Sequence, residues 1–235
     1  MLELEEPTEM ERRMKKCISM FAVTSLVSGV AFADMYYDPT GDIATGNANL
    51  DITQVEITDN GVDLFITVSL SALDGDWGKY MMFIDAWEGG SGDNDNPWAR
   101  NVSGLGGSDI FLGSWLDGGG GVVDQYHNSG GWWDAPEGNA GLSIDWANNS
   151  FTWTMSGIVT SMAEWEISGI DFEIATTGGG QGDPAIDLLG GEGTQPGWGQ
   201  GSQSTDWSYY EFSTVPAPGV LALFAVAGIT RRRRH

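Results

Sequence analysis

The chain has 235 residues, with 10 Lys and Arg against 33 Asp and Glu and a formal net charge of −23. Eight of the ten basic residues sit at the two ends, so the stretch from Asp34 to Thr214 holds only Lys79 and Arg100 against 28 acids. That balance excludes a nucleic-acid partner, because phosphate contacts require Lys and Arg, and it suits solubility, divalent cations and neutral polymers.

Apolar residues at 41 % permit a core, while 35 Gly and 11 Trp favour short strands and turns over helices. The single cysteine, Cys17, lies outside the acidic stretch. Within it there is therefore no disulfide framework, thiolate metal site or thiol nucleophile.

At the N-terminus, Lys15 and Lys16 precede the apolar run CISMFAVTSLVSGVAFA, which ends on Ala31-Phe32-Ala33. A basic start, an apolar middle and an A-x-A ending have the form of a secretory signal peptide, with cleavage expected before Asp34. The alternative is a buried core helix. Residues 1–13 are acidic and fit a leader poorly, which makes Met14 the expected start. No lipobox precedes Cys17, so a lipoprotein anchor is not indicated. The expected organisation is a signal helix over 1–33, a folded domain over 34–214 and a sorting segment over 215–235.

The domain opens on Asp38-Pro39-Thr40-Gly41-Asp42. Leu50-Asp51-Ile52 and Val55-Glu56-Ile57 alternate with a phase slip, which predicts a bulge. Asp59-Asn60-Gly61 predicts a hairpin turn into the alternating strand Val62–Leu70. Tyr80–Trp87 is more apolar and is expected to be central. The stretch from Asp38 to Trp87 resembles the start of DOMON-like and family 9 carbohydrate-binding-type β-sandwiches. There an acidic DxxGD-like opening precedes two paired strands and a third ending in Asp. The resemblance implies a ligand- or sugar-binding sandwich, sometimes with calcium. Heme ligation, known in some of those relatives, is not carried over, since His127 is the only histidine of the domain.

Asp85, Glu88, Asp93, Asp95 and Asn96 follow at a strand end and in the loop WEGGSGDNDNPW. Ca²⁺ takes six to eight oxygens, and Gly lets a loop fold around the ion. The spacing is not that of an EF-hand. Two readings stand side by side: calcium held by Asp85, Asp93 and Asp95, with Asp38 and Asp42 as further ligands; or a solvated acidic loop, with Asp38 and Asp42 capping a turn.

Further strands are predicted at Asp109–Leu116, Val122–Tyr126, Trp165–Ala175 and Trp207–Phe212, with a hairpin joining Leu142–Trp146 to Phe151–Met155. Helix is expected only at Ile158–Glu164. The fold class is therefore all-β: an antiparallel, jelly-roll-like β-sandwich, flanked by the N-terminal signal helix and a short C-terminal hydrophobic helix. Residues 117–141 and 176–205 read as long loops, which are functional or mobile when they exceed about 15 residues.

Trp77, Trp87, Trp98, Trp115, Trp132 and Trp133 lie at strand ends or in loops. Indoles stack on the C–H faces of sugars, so Trp98, Trp132 and Trp133 are candidates for a carbohydrate platform. The alternative is that they pin Gly-rich loops by burying area. Trp146, Trp153, Trp165 and Trp207 are expected in the core. No catalytic motif is present: there is no G-x-S-x-G and no H-E-x-x-H. With 28 acids in the domain, a carboxylate pair for glycoside hydrolysis carries no information without geometry.

The chain ends on Val215, Pro216, Ala217 and Pro218, an apolar run from Val220 to Ile229, and Arg231, Arg232, Arg233 and Arg234. Ten apolar residues fall short of the about 20 a stable membrane span needs. The arginines would stay cytoplasmic. This ending resembles the PEP-CTERM sorting signal of bacterial exported proteins, with Pro-Ala-Pro in place of Pro-Glu-Pro. The resemblance implies recognition by an exosortase and transfer to the envelope, cell surface or exterior, with transient contact at the inner membrane. Three functions follow as expectations. The first is a non-catalytic surface or matrix protein, with Ca²⁺ as a candidate cofactor. The second is a module binding extracellular polysaccharide through loop tryptophans. The third is a glycosidase or lyase acting on polysaccharide.

Overall fold

The computed structural model describes residues 33–127, 130–135 and 140–213. In chain order the strands are β1 (Ala33–Tyr37), β2 (Ile52–Asp59), β3 (Leu64–Leu70), β4 (Lys79–Asp85), β5 (Val102–Ser103), β6 (Ile110–Trp115) and β7 (Gly120–His127). They continue as β8 (Gly131–Asp134), β9 (Gly141–Asp145), β10 (Ser150–Met155), β11 (Gly169–Thr177), β12 (Ala185–Leu188), β13 (Ser202–Gln203) and β14 (Ser208–Glu211). One helix, α1 (Ile158–Glu164), lies between β10 and β11.

Two antiparallel sheets form a sandwich. The first runs β1-β2-β3-β10-β9; the second runs β12-β11-β4-β6-β7-β8, with β14 beside β12 on the same flank of β11. The β2–β3 register shifts between Ile52 and Gln54, where the sequence loses its alternation. Asn60 turns the hairpin: its amide bonds the Asp63 carbonyl (3.2 Å), and Gly61 takes φ +80°, open to glycine without strain.

The two sheets bury their strands differently. β3 alternates buried and half-buried residues, because only one face meets the core. β4 is buried through its whole middle, Tyr80 to Ile84. Its inner residues Tyr80, Met82 and Ile84 join Ile66, Phe151 and Trp153 in the core between the sheets. Its outer residues Met81 and Phe83 join Phe111, Leu105 and Leu188 in a second cluster under the loops. A strand covered on both faces reads as a continuous apolar run, which is why YMMFI marks a centre.

Several expectations need correction. The segments read as long loops hold strands beyond those expected: β8 in 117–141, beside the expected strand Val122–Tyr126 found as β7, and β12 and β13 in 176–205. Their glycines hide the alternation. Trp165 is 79 % exposed and Trp146 is 48 % exposed, so neither is core. Trp165 caps the end of α1, and the following strand starts only at Gly169. Trp146 begins the turn after edge strand β9. Trp153 is fully buried, as expected, and its indole N–H donates to Ser114 Oγ (2.9 Å) across the core. Among the described residues no helix is long and apolar enough to cross a membrane. The signal helix, the apolar run 220–229 and the residues from Val215 to Arg234 lie outside the described residues.

Candidate functional site

The opening segment meets the second sheet at a buried cluster of carboxylates. Asp51 accepts the Gly41 amide on both oxygens (3.0 Å each) and the Ser71 hydroxyl (2.5 Å), which curls residues 38–42 back towards β2. Gly41 has φ +81°, so the curl needs glycine there. Ile43 bridges to Gln195, tying the segment to the stretch between β12 and β13. On β12, Asp187 accepts the amide of Ile52 (2.6 Å) and that of Leu188 (3.0 Å), so it spans the gap between the sheets.

Asp38, Asp42 and Asp187 each place a carboxylate oxygen within 4.8 Å of the others. Asp38 is only 8 % exposed, and its Oδ2 has no hydrogen-bond donor; Asp42 Oδ1 is likewise buried without one. Burial pushes the Asp38 carboxyl up to about 9, with Asp187, Asp42, Asp51 and Glu173 adding repulsion. Burial also pushes Asp187 up to about 7, against the Ile52 amide that favours its charge. Nearby, Glu173 accepts amides from Ile174 (2.9 Å) and Gly190 (3.0 Å) and the Ser204 hydroxyl, yet burial holds it at about 7.

Such a group of acids is stable in only two ways: by holding protons or by sharing a cation. Neither Lys79 nor Arg100 supplies that charge. Lys79 pairs with Asp117, and Arg100 has Asp183 as its acidic neighbour. Hard carboxylate oxygens at this spacing suit Ca²⁺, which bridges several anionic ligands and completes its shell with carbonyls and water.

The other acids proposed as ligands lie elsewhere. Asp85 ends β4 beside Asp109, a fully buried acid that burial raises to about 6. Asp109 accepts the amides of Ala86 (2.8 Å) and Trp87 (2.9 Å) and so shapes the turn after β4. Asp93 accepts the Gly104 amide (2.6 Å), and the Asp95 carbonyl accepts the Trp132 indole N–H (3.3 Å). Among the described residues Asp85, Asp93 and Asp95 do not gather as a three-acid group; only Asp38, Asp42 and Asp187 do. Asp187 escaped the sequence reading because its segment looked like a loop. The signal was present as a carboxylate inside the apolar run Ala-Ile-Asp-Leu-Leu.

The tryptophans divide. Trp98 is half-buried against Phe111 (centroids 5.3 Å apart) and Trp115 (6.3 Å). Trp132 packs edge-on to Phe111 (6.3 Å) and Tyr126 (5.4 Å). Trp133, next to it on β8, is 61 % exposed. Trp98 and Trp132 thus cover the outer face of the second sheet, while Trp133 projects to solvent. Ala33 and Asp34 open β1; Ala31 lies outside the described residues. No protein-family model matches the chain, and no curated protein matches it.

Proposed function

We propose that this chain is an exported, non-catalytic β-sandwich protein of the cell surface or extracellular matrix, whose body is tied together by Ca²⁺ at Asp38, Asp42 and Asp187. The observation that carries the ion is a buried Asp38 whose Oδ2 has no donor and which has a carboxylate oxygen within 4.8 Å of those of two more acids. Asp38 and Asp42 belong to the opening segment and Asp187 to the second sheet, so a shared cation joins the two. Routing rests on the sequence: the leader before Asp34 engages the secretion machinery, and the tail from Val215 to Arg234 engages an exosortase at the inner membrane. Cleavage before Asp34 removes only the Ala33–Thr58 pair from β1. At the other end, Ser213 bonds Asp59, the residue after Thr58. Both junctions therefore lie at one corner of the domain.

Protein recovered from the envelope of the producing cell should begin at Asp34 and should melt higher in Ca²⁺ than in EDTA. At 100-fold excess over Kd, binding stabilises by about 2.7 kcal/mol, a rise of about 5–10 °C for a domain of this size. Full-length protein in the cytosol would sink the routing, and an unchanged melting temperature would sink the ion. The second reading, a module that binds extracellular polysaccharide, is favoured by the aromatic surface formed by Trp98 and Trp115.

A further inference from the structure

Lys79 and Arg100 are the only lysine and arginine between residues 33 and 213. They come from different elements, yet both line one depression of about 250 Å³ on the outer side of the second sheet, with Trp98, Trp115, Gly179 and Gln181. Lys79 is the register partner of Trp115 in the β4–β6 pair, so both side chains stand on the same face. Arg100 reaches the depression from the loop before β5.

The rings are seated by glycines. A Cβ at Gly113 would lie 2.4 Å from Trp98, and one at Gly120 would lie 2.2 Å from Trp115. The indoles therefore lie against bare backbone and line the depression side by side, tilted by 42°. Arg100 is 8 % exposed, with its guanidinium carbon 5.5 Å from the Trp98 ring centre. Its Nη1 donates to the Gly180 carbonyl, while its buried Nε has no acceptor. A buried guanidinium N–H without a partner is costly, and its planar fork matches a carboxylate. Lys79 stands at the rim, ion-paired with Asp117 (2.5 Å), and offers its remaining N–H donors there.

We propose that this depression binds an acidic saccharide unit of the uronic acid type. Its ring C–H face packs on Trp98 and Trp115, its carboxylate meets the Arg100 guanidinium, and Gln181 meets a hydroxyl. On a surface otherwise crowded with carboxylates, this is the one place among the described residues where a lysine and an arginine lie together. The inference rests on the polysaccharide-binding reading and sharpens it to a charged glycan.

The test is calorimetric titration of the full chain with a short glucuronate oligosaccharide, the glucose oligosaccharide of the same linkage and length, and oligoglutamate. The glucuronate should bind at least tenfold more tightly than the other two, and high salt should weaken it. Arg100→Gln should abolish that preference. Lys79→Gln, at the half-buried rim beside the more exposed Asp117, should lower affinity and flatten the salt dependence, which keeps the test valid if Arg100→Gln does not fold. Equal binding of the glucose and glucuronate chains would overturn the anion assignment while leaving polysaccharide binding standing. Equal binding of oligoglutamate would overturn the sugar. Silence from all three would overturn both this inference and the reading beneath it.

Discussion

Asp38 concentrates the chemistry of the acidic cluster in one side chain. It is buried, its Oδ2 lacks a donor, and four other acids push it the same way. Its charged form is therefore unfavourable in the folded chain unless a cation is present. Asp38→Asn removes the repulsion along with a ligand oxygen. The variant should melt higher than the parent in EDTA and lose the parent's response to Ca²⁺. A variant that melts lower in EDTA and keeps its calcium response would show that Asp38 is only a packing residue. The turn after Asp38 was visible in DPTGD; the burial of Asp38 was not, because nothing in those five letters says that β12 will cover them.

Among the elements, the joint between the last strand and the first hairpin is the best defined. Asp59, at the end of β2, accepts the Tyr210 hydroxyl (2.8 Å), the Ser213 amide (2.8 Å) and hydroxyl, and the Gly61 amide (2.7 Å). Burial alone would raise its carboxyl, but the donors from Ser213, Tyr210 and Gly61 together hold it below the usual carboxylate range. A lowered value means that the charged form stabilises the fold above the unfolded pKa of about 3.9, and that this stability is lost as pH falls through the folded value. Asp59→Asn should lower stability by about 2–3 kcal/mol at pH 7, the scale of hydrogen bonds to a charged group, and the gap to the parent should close in acid. A gap that stays constant with pH would contradict the ionised latch. The β2–β3 hairpin could be read from Asp-Asn-Gly because its pairing is local. The Asp59 latch could not, since its partners lie about 150 residues away in the chain.

Across the whole molecule, raised acids outweigh lowered ones inside the sandwich. Asp38 is at about 9, Asp187 and Glu173 at about 7 and Asp109 at about 6. Their unfolded values lie near 4. Between roughly pH 4 and 9 the folded chain thus holds protons that the unfolded chain has released, so its stability falls as pH rises through that window. In EDTA the melting temperature should decline from pH 5 to pH 8.5. Saturating Ca²⁺ should flatten that decline by binding the deprotonated carboxylates in place of protons. A melting temperature in EDTA that rises over this range would rule out protonated acids in the fold.

Composition and alternation were enough to determine the sandwich class, the main hairpins, the helix at Ile158–Glu164 and the centrality of β4, because each depends on neighbours a few residues apart. They could not place β8 or β12, whose glycine-rich surroundings break the period, nor tell buried Trp153 from exposed Trp165. Only the tertiary structure decided which acids meet. Asp187 joins Asp38 because two sheets close at one edge, and Arg100 meets Lys79 because a loop folds over the outer face of the second sheet. Contacts of that kind depend on how distant strands stack, and no short window of sequence contains both partners.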